Sequence, residues 1–286
     1  MTYRELYFQL DKKKNNLLNG TAIKSILQDD GGFSDFFNLI KHFDEEVKNL
    51  DQINENVSRV LNGEPLQYVL GYAFFINSNY VVNKDVLIPR QETEELAVAT
   101  LKMIVKMFGK EPKIKIIDIG TGSGILGIYL KEYFPHSTVI CTDISENSIK
   151  IAKINAKNHN VIIDFRVGDM LEPIKDESDV SVIISNPPYI GDSSTVDPMT
   201  LKYEPHLALF ANPKTKYYEE IFTAIDSQMM SEKFLLAFEI GEDMEDELTH
   251  ILETKYQGIM YKFEKDIYGK VRFLYIVKDE GITYVA

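Results

Sequence analysis

Apolar residues recur at helical spacing through the first 70 positions, and the rhythm then changes. Thr2 and Glu5 have the spacing of a capping box, and Tyr3, Leu6, Tyr7 and Leu10 follow on one helical face. Ile23, Ile26 and Leu27 precede Gly31-Gly32, a helix stop. Phe36, Phe37, Ile40 and Phe43 form a third stripe, and Ile53, Val57, Val60 and Leu61 a fourth that ends before Gly63. These stripes predict a small helical bundle over 1–70 with its phenylalanines in the core. Residues 71–86 read as a linking β-hairpin, with strands 72–76 and 80–82 around Asn77-Ser78-Asn79. Pro89 opens a helix that runs to Gly109 with Leu96, Thr100, Met103 and Met107 along one side. Strand-like runs at 114–119, 138–142, 161–167, 180–185 and 234–240 then alternate with helical stretches near 124–133, 145–158, 215–230 and 242–256. That alternation predicts an α/β domain over 87–286 built on a mostly parallel sheet. The tail departs from it. Runs 258–265 and 271–278 flank a five-residue link too short for a crossover helix, so they close as an antiparallel hairpin.

Composition narrows the choice of function. The chain has 286 residues, 44% of them hydrophobic and 26% charged, enough apolar side chains for a sizeable core. The formal net charge of −13 argues against gripping a nucleic-acid backbone, which needs clustered lysine and arginine. The single cysteine, Cys141, excludes an intrachain disulfide and a multi-cysteine zinc site, and its strand-like surroundings mark it as a core residue. The five histidines show no metal spacing, and His206 reads as a packing residue. No signal-peptide core and no membrane-length apolar run is present, so the expected location is the cytoplasm.

Candidate chemistry begins at Asp118-Ile119-Gly120-Thr121-Gly122-Ser123-Gly124, where an apolar strand runs into a glycine turn and then a helix. Such a turn lets a ligand approach the backbone closely beside free helix N–H groups. Asp143 ends the next strand, where a carboxylate can accept from both ribose hydroxyls of an adenosine cofactor. Gly122, Gly124 and Gly127 also satisfy the dinucleotide pattern, so the loop alone leaves both NAD and S-adenosylmethionine (SAM) open. Asp118, just before the glycines, favours SAM, which has no pyrophosphate to hold. After the third strand, Asp169 can accept from an adenine amino group and Met170 can pack on the ring; the alternative is a plain strand-ending turn.

The strongest signal is Asn186-Pro187-Pro188-Tyr189, closing the apolar run 180–185. Two prolines fix the backbone and prevent the strand from continuing. The asparagine amide and its neighbouring carbonyls are thus held at the carboxyl edge of the sheet, where α/β ligand sites lie. A planar amide or aromatic amine is a poor nucleophile because its lone pair is delocalised. Two acceptors, Asn186 Oδ1 and the Pro187 carbonyl, can take its N–H bonds and turn the lone pair toward a methyl donor. Both bind more strongly as the nitrogen becomes positive, and Tyr189 can stack on the flat group.

With Asp118–Gly124, this motif resembles the signature of SAM-dependent amino-group methyltransferases. Further segments resemble the HemK/PrmC family, the glutamine methyltransferases of peptide chain release factors. They are Glu64-Pro65-Leu66-Gln67-Tyr68 with Gly71, Val86 through Thr93, Tyr203 through Leu209, and Phe238-Glu239-Ile240-Gly241. The resemblance implies a Rossmann-like fold with a seven-stranded sheet and no metal. It implies SAM held by Asp118, Gly120, Thr121, Gly122, Ser123, Gly124, Asp143, Asp169, Met170 and Asn186. The substrate glutamine, from a Gly-Gly-Gln loop, would lie on Asn186, Pro187, Pro188 and Tyr189, with Asn186, Pro187 and Tyr189 catalytic. Release factors are the implied partners, recognised with help from the N-terminal bundle, without nucleic acid or membrane. Arg90, Glu92 and Thr93 would be structural or shape the SAM site. Residues 210–216 depart from the family's usual glycine-rich segment. A ribosomal-protein glutamine methyltransferase, an adenine-N6 methyltransferase, a non-catalytic SAM-binding adaptor and an NAD dehydrogenase are the alternatives. Net charge weighs against the adenine enzyme and the intact Asn186 motif against the adaptor. The dehydrogenase lacks evident hydride-transfer residues.

Overall fold

A computed structural model describes residues 1–279, which form two compact units. The first contains residues 1–72 and a later segment, 197–203. Its helices are α1 (Tyr3–Asp11), α2 (Gly20–Gly31), α3 (Phe36–Lys41), α4 (Leu50–Leu61) and α5 (Leu66–Leu70). The capping box forms as its spacing requires: Thr2 Oγ1 accepts from Glu5 N at 3.2 Å, and the Thr2 amide donates to Glu5 Oε2 at 2.9 Å. Gly32, at φ 72°, ends α2 in the left-handed conformation. Tyr3, Leu6, Ile23, Ile26, Leu27 and Ile53 are buried at the centre of this unit. Phe43 joins that core, whereas Phe36 is only half-buried and Phe37 is 77% exposed.

The second unit holds residues 73–196 and the described chain from Glu204 onward. Its hairpin, β1 (Tyr72–Phe75) and β2 (Ser78–Val81), turns at Ile76-Asn77, a tighter and earlier turn than the polar triplet at 77–79 predicts. Ile76 takes a positive φ of 56°, and its amide is held by Glu94 Oε1 at 2.9 Å. After α6 (Gln91–Phe108) come β3 (Lys115–Ile119), α7 (Ile125–Tyr133), β4 (Thr138–Asp143), α8 (Glu146–Asn158), β5 (Asp164–Val167) and β6 (Val180–Ser185). Then follow α9 (Pro198–Tyr203), α10 (Lys216–Phe222), β7 (Met230–Glu239), α11 (Glu245–Lys255), β8 (Met260–Lys265) and β9 (Val271–Lys278). Helix α9, absent from the hydrophobic pattern, belongs to the first unit, where Tyr203 Oη donates to the Asn62 carbonyl at 3.2 Å. Helix α10 stops well short of the predicted 230. Residues 223–229 form turns instead, and β7 starts earlier than its apolar run.

The seven strands lie in the order β5-β4-β3-β6-β7-β9-β8. All pair in parallel except β9, antiparallel to both β7 and β8. The mostly parallel sheet with its antiparallel closing hairpin is the one the alternation and the tail predict, and its seven strands are those the resemblance implies. One core fills the face under α6 and α7, the other the face under α10 and α11. Strand order reverses between β3 and β6, and the crevice outside their carboxyl ends is where such sheets bind ligands. Ser185 Oγ donates to the Ile119 carbonyl at 2.7 Å and ties the two strand ends together there. Among the described residues no helix is long and apolar enough to cross a membrane, and no cluster of His, Cys, Asp and Glu could hold a metal.

Candidate active site

The turn from β3 into α7 shapes one wall of a cavity of about 310 Å³ at this crevice. Gly120 and Gly122 take positive φ of 68° and 55°, and a methyl group on either would point into open space, not into protein. Both line the cavity, so the backbone itself is the surface a ligand meets. Gly127 serves another purpose. A methyl there would lie 2.2 Å from Cys141 Sγ, so the glycine lets α7 pack directly on β4. Cys141 is fully buried, and burial pushes its thiol pKa up, as befits a core residue.

Asp118 lies beneath the loop. Its Oδ2 accepts from Thr121 Oγ1 at 2.5 Å and from Gly127 N at 3.0 Å, while Oδ1 is buried with no partner among the described residues. Burial lifts its pKa to about 6. Asp143 sits at the cavity surface. Oδ2 accepts from Gly122 N and Oδ1 from Ser145 N, each at 2.9 Å, which aims the carboxylate while leaving lone pairs for ligand hydroxyls. Asn155, fully buried on α8, donates to the Ser123 carbonyl at 2.8 Å and exchanges bonds with Val81, tying the loop to β2.

Among the described residues three carboxylates, Asp85, Asp143 and Asp169, line the cavity against one lysine, Lys216, with no arginine or histidine. A pyrophosphate would meet little compensating charge here. A cofactor with a sulfonium and an ammonium group meets attraction. The glycine cradle, the buried Thr142 Oγ1 on the cavity wall, without a partner among the described residues, and this charge together fit SAM.

At the end of β6, Asn186 is half-buried on the cavity wall. Its Nδ2 donates to Thr93 Oγ1 at 3.2 Å, and Thr93 donates to Glu239 Oε2 at 2.7 Å. Tyr189 Oη approaches Glu239 Oε1 at 3.4 Å, and Tyr218 Oη donates to the Glu239 carbonyl at 2.7 Å. Nearby, Glu204 Oε1 accepts from Arg90 Nη2 at 2.5 Å and Oε2 from the Ile88 amide at 3.2 Å, joining two motifs far apart in sequence.

Of the residues singled out in the sequence, Gly120, Thr121, Gly122, Ser123, Asp143, Asp169, Met170, Asn186 and Pro188 come together on one cavity. Asp118, Gly124, Pro187 and Tyr189 do not line it. Asp118 braces the loop, Pro187 is buried, and the Tyr189 hydroxyl turns toward Glu239. His206 packs edge-on against Phe210, 5.5 Å between ring centres. Hydrophobic periodicity did not reveal Thr93 and Glu239 as partners of Asn186, or Asn155 as a brace. A lone glutamate inside the apolar run 234–240 was the available clue.

A cradle for a cationic cofactor at the reversal of strand order, with an asparagine amide set beside it, makes this a SAM-dependent methyltransferase of the Rossmann-like class. Residues 94–203 match the family described as Methyltransferase small domain. A release factor glutamine methyltransferase of Staphylococcus aureus (strain NCTC 8325 / PS 47) is 39% identical over 222 residues, 76% of this chain and 77% of that relative. Another, of Bacillus cereus, is 33% identical over 242 residues, covering 83% and 85%. The chain belongs to the release factor glutamine methyltransferase family. Its fold is also similar to that of the hMettl16 catalytic domain in complex with MAT2A 3'UTR hairpin 1, with a TM-score of 0.56, 14% identity, and coverage of 82% of this chain and 84% of that one.

Proposed function

We propose that the protein methylates the side-chain amide nitrogen of the glutamine in the Gly-Gly-Gln loop of peptide chain release factors. SAM bound in the cavity supplies a methyl group on a sulfonium whose departure leaves a neutral thioether. Asp143 would accept from the ribose hydroxyls, Asp169 and Met170 would receive the adenine, and the backbone of Gly120–Ser123 would carry the remainder. Asn186 Oδ1 and the Pro187 carbonyl accept the two N–H bonds of the glutamine amide and align its lone pair with the methyl carbon. As the N–C bond forms and the C–S bond breaks, the nitrogen becomes positive and both acceptors hold it more tightly. Its proton, now acidic, leaves to water, so the chain needs no strong base. Tyr189 flanks the amide. Residues 1–70 contribute to recognition of the release factor in the cytoplasm, where translation terminates.

The observation that carries this reading is the bond from Asn186 Nδ2 to Thr93, which leaves Oδ1 open to a substrate amide. Mass spectrometry of release factor incubated with the protein and SAM tests it. One added methyl on the Gly-Gly-Gln glutamine is the expected result. A methyl on a ribosomal protein or on adenine, with none on that glutamine, replaces the proposal with the corresponding alternative.

A further inference from the structure

An asparagine amide carries an acceptor at one end and two donors at the other, and the two ends have nearly the same shape. In the reaction proposed above, the acceptor must face the glutamine. With the amide reversed, the N–H groups of Asn186 would oppose those of the substrate. Something in the protein must therefore choose between two orientations of almost equal bulk.

The choice is made two residues away from the substrate. Register sets Ser185 beside Phe238, so Asn186 and Glu239 follow at the same level on neighbouring strands. Thr93, in the first turns of α6, reaches between them. Thr93 has one hydroxyl hydrogen, and it goes to Glu239 Oε2. Its oxygen can then only accept from Asn186, which obliges Asn186 to present Nδ2 to it and Oδ1 to the other side. Glu239 does not line the cavity and is 2% exposed, between the fully buried Phe238 and Ile240. Placing a carboxylate there costs desolvation energy. A carboxylate does what a neutral group of that size cannot: it accepts at both oxygens, from Thr93 at one and Tyr189 at the other. A carboxylic acid or an amide accepts at one and donates at the other.

We propose that Glu239 is a positioning residue for methyl transfer: its carboxylate, acting through Thr93, sets the Asn186 amide with Oδ1 toward the substrate. The inference rests on the glutamine-methylation reading of the site.

Protonation of Glu239 should undo this arrangement. The groups facing it are Thr93 and Glu92 from α6, Tyr189 from the segment after β6, Tyr218 from α10 and Arg272 from β9. Burial raises its pKa most strongly and Glu92 adds to this, against Thr93, Arg272 and Tyr189, leaving it at about 7. The protonated acid can donate to Thr93, whose own hydrogen is then free to meet Asn186 Oδ1 and reverse the amide. A glutamine side-chain amide does not titrate near neutral pH, so the substrate cannot produce such an effect.

The test compares turnover on release factor at saturating SAM, from about pH 6 to about pH 8.5. The proteins are the wild type, Thr93→Val, Thr93→Ser, Glu239→Gln and the Thr93→Val/Glu239→Gln double variant, with SAM affinity measured by calorimetry. Wild-type kcat should rise with pH through about 7. Thr93→Val and Glu239→Gln should each lower kcat about 10- to 100-fold and flatten that rise, with a smaller change in SAM affinity. Thr93→Ser should keep most of the rate, and the double variant should be no slower than Thr93→Val. The relay is overturned if Thr93→Ser is as slow as Thr93→Val, if the two losses multiply, or if Glu239→Gln keeps full kcat. If the wild type itself leaves the glutamine unmethylated, the functional reading fails. The relay is then decided by the Asn186 side-chain amide signals in nitrogen-15 NMR, assigned by their loss in Asn186→Asp. Those signals should shift with a midpoint near 7 in the wild type and not in Thr93→Val; an unchanging spectrum rejects the relay.

Discussion

In the proposed reaction Asn186 serves the chemistry and Asp143 the binding of SAM, and substitutions should separate the two. Asn186→Ala removes an acceptor that strengthens only as charge develops on the substrate nitrogen. It should lower kcat about 100- to 1,000-fold while SAM binding partly survives. Near-normal turnover in single-turnover assays would sink the mechanism. Asp143→Asn exchanges one accepting oxygen for a donor beneath the ribose. SAM affinity should weaken by about 1–3 kcal/mol, with a smaller effect on kcat at saturation. Titration calorimetry beside steady-state rates resolves this split. Both positions stand out in the sequence: Asn186 ends an apolar strand at a double proline, and Asp143 ends the strand that follows the glycine loop. Asp118 was legible as important, yet its place beneath the loop, bonded to Thr121 and Gly127, needed three dimensions.

Helix α7 meets β4 with no side chain between Gly127 and Cys141. Gly127→Ala should destabilise the protein by about 1–3 kcal/mol, since a methyl there overlaps the sulfur and moving it disturbs two packed elements. Adding Cys141→Ala should recover part of the loss. Urea unfolding of the two single variants and the double measures that coupling, and strict additivity would deny the contact. Elements with a clear period and clear stops, such as α6 and β9, stand in the structure close to where the pattern puts them. Helix α10 does not, because Ile221, Phe222, Ala224 and Met229 are all buried whether or not the backbone between them is helical. Apolar spacing alone cannot tell a helix from a helix followed by turns.

The whole molecule carries buried carboxylates whose protonation it favours. Burial lifts Asp118 to about 6 and Glu239 to about 7, where an unfolded chain holds such groups near about 4. Between those values the native state binds more protons than the unfolded state, so these groups stabilise the fold at low pH and lose that contribution as pH rises through about 7. The ligand-free protein should therefore melt at a higher temperature at about pH 5.5 than at about pH 7.5, and Glu239→Gln should shrink the difference. Calorimetric scans across that range decide it; an unaltered difference in the variant means Glu239 does not titrate there. Deleting residues 1–70 should weaken release-factor methylation more than SAM affinity. Equal losses would deny the first unit a recognition role. Because Pro198–Tyr203 packs within that unit, the deletion also removes the surroundings of α9.

Apart from α9, the order of helices and strands was determined by the sequence, as were the glycine turn and the Asn-Pro-Pro-Tyr corner, since each depends on residues adjacent or a few positions apart. Period, glycine's freedom at positive φ and proline's fixed φ act locally. Which distant residues meet was decided only by the tertiary structure. Thr93 lies 93 residues from Asn186 and 146 from Glu239, and no local rule relates such positions. Strand order and register bring the ends of β6 and β7 level, and the packing of α6 brings Thr93 to both. The identity of the amide is therefore written in the chain, while its orientation follows from the packing of the sheet.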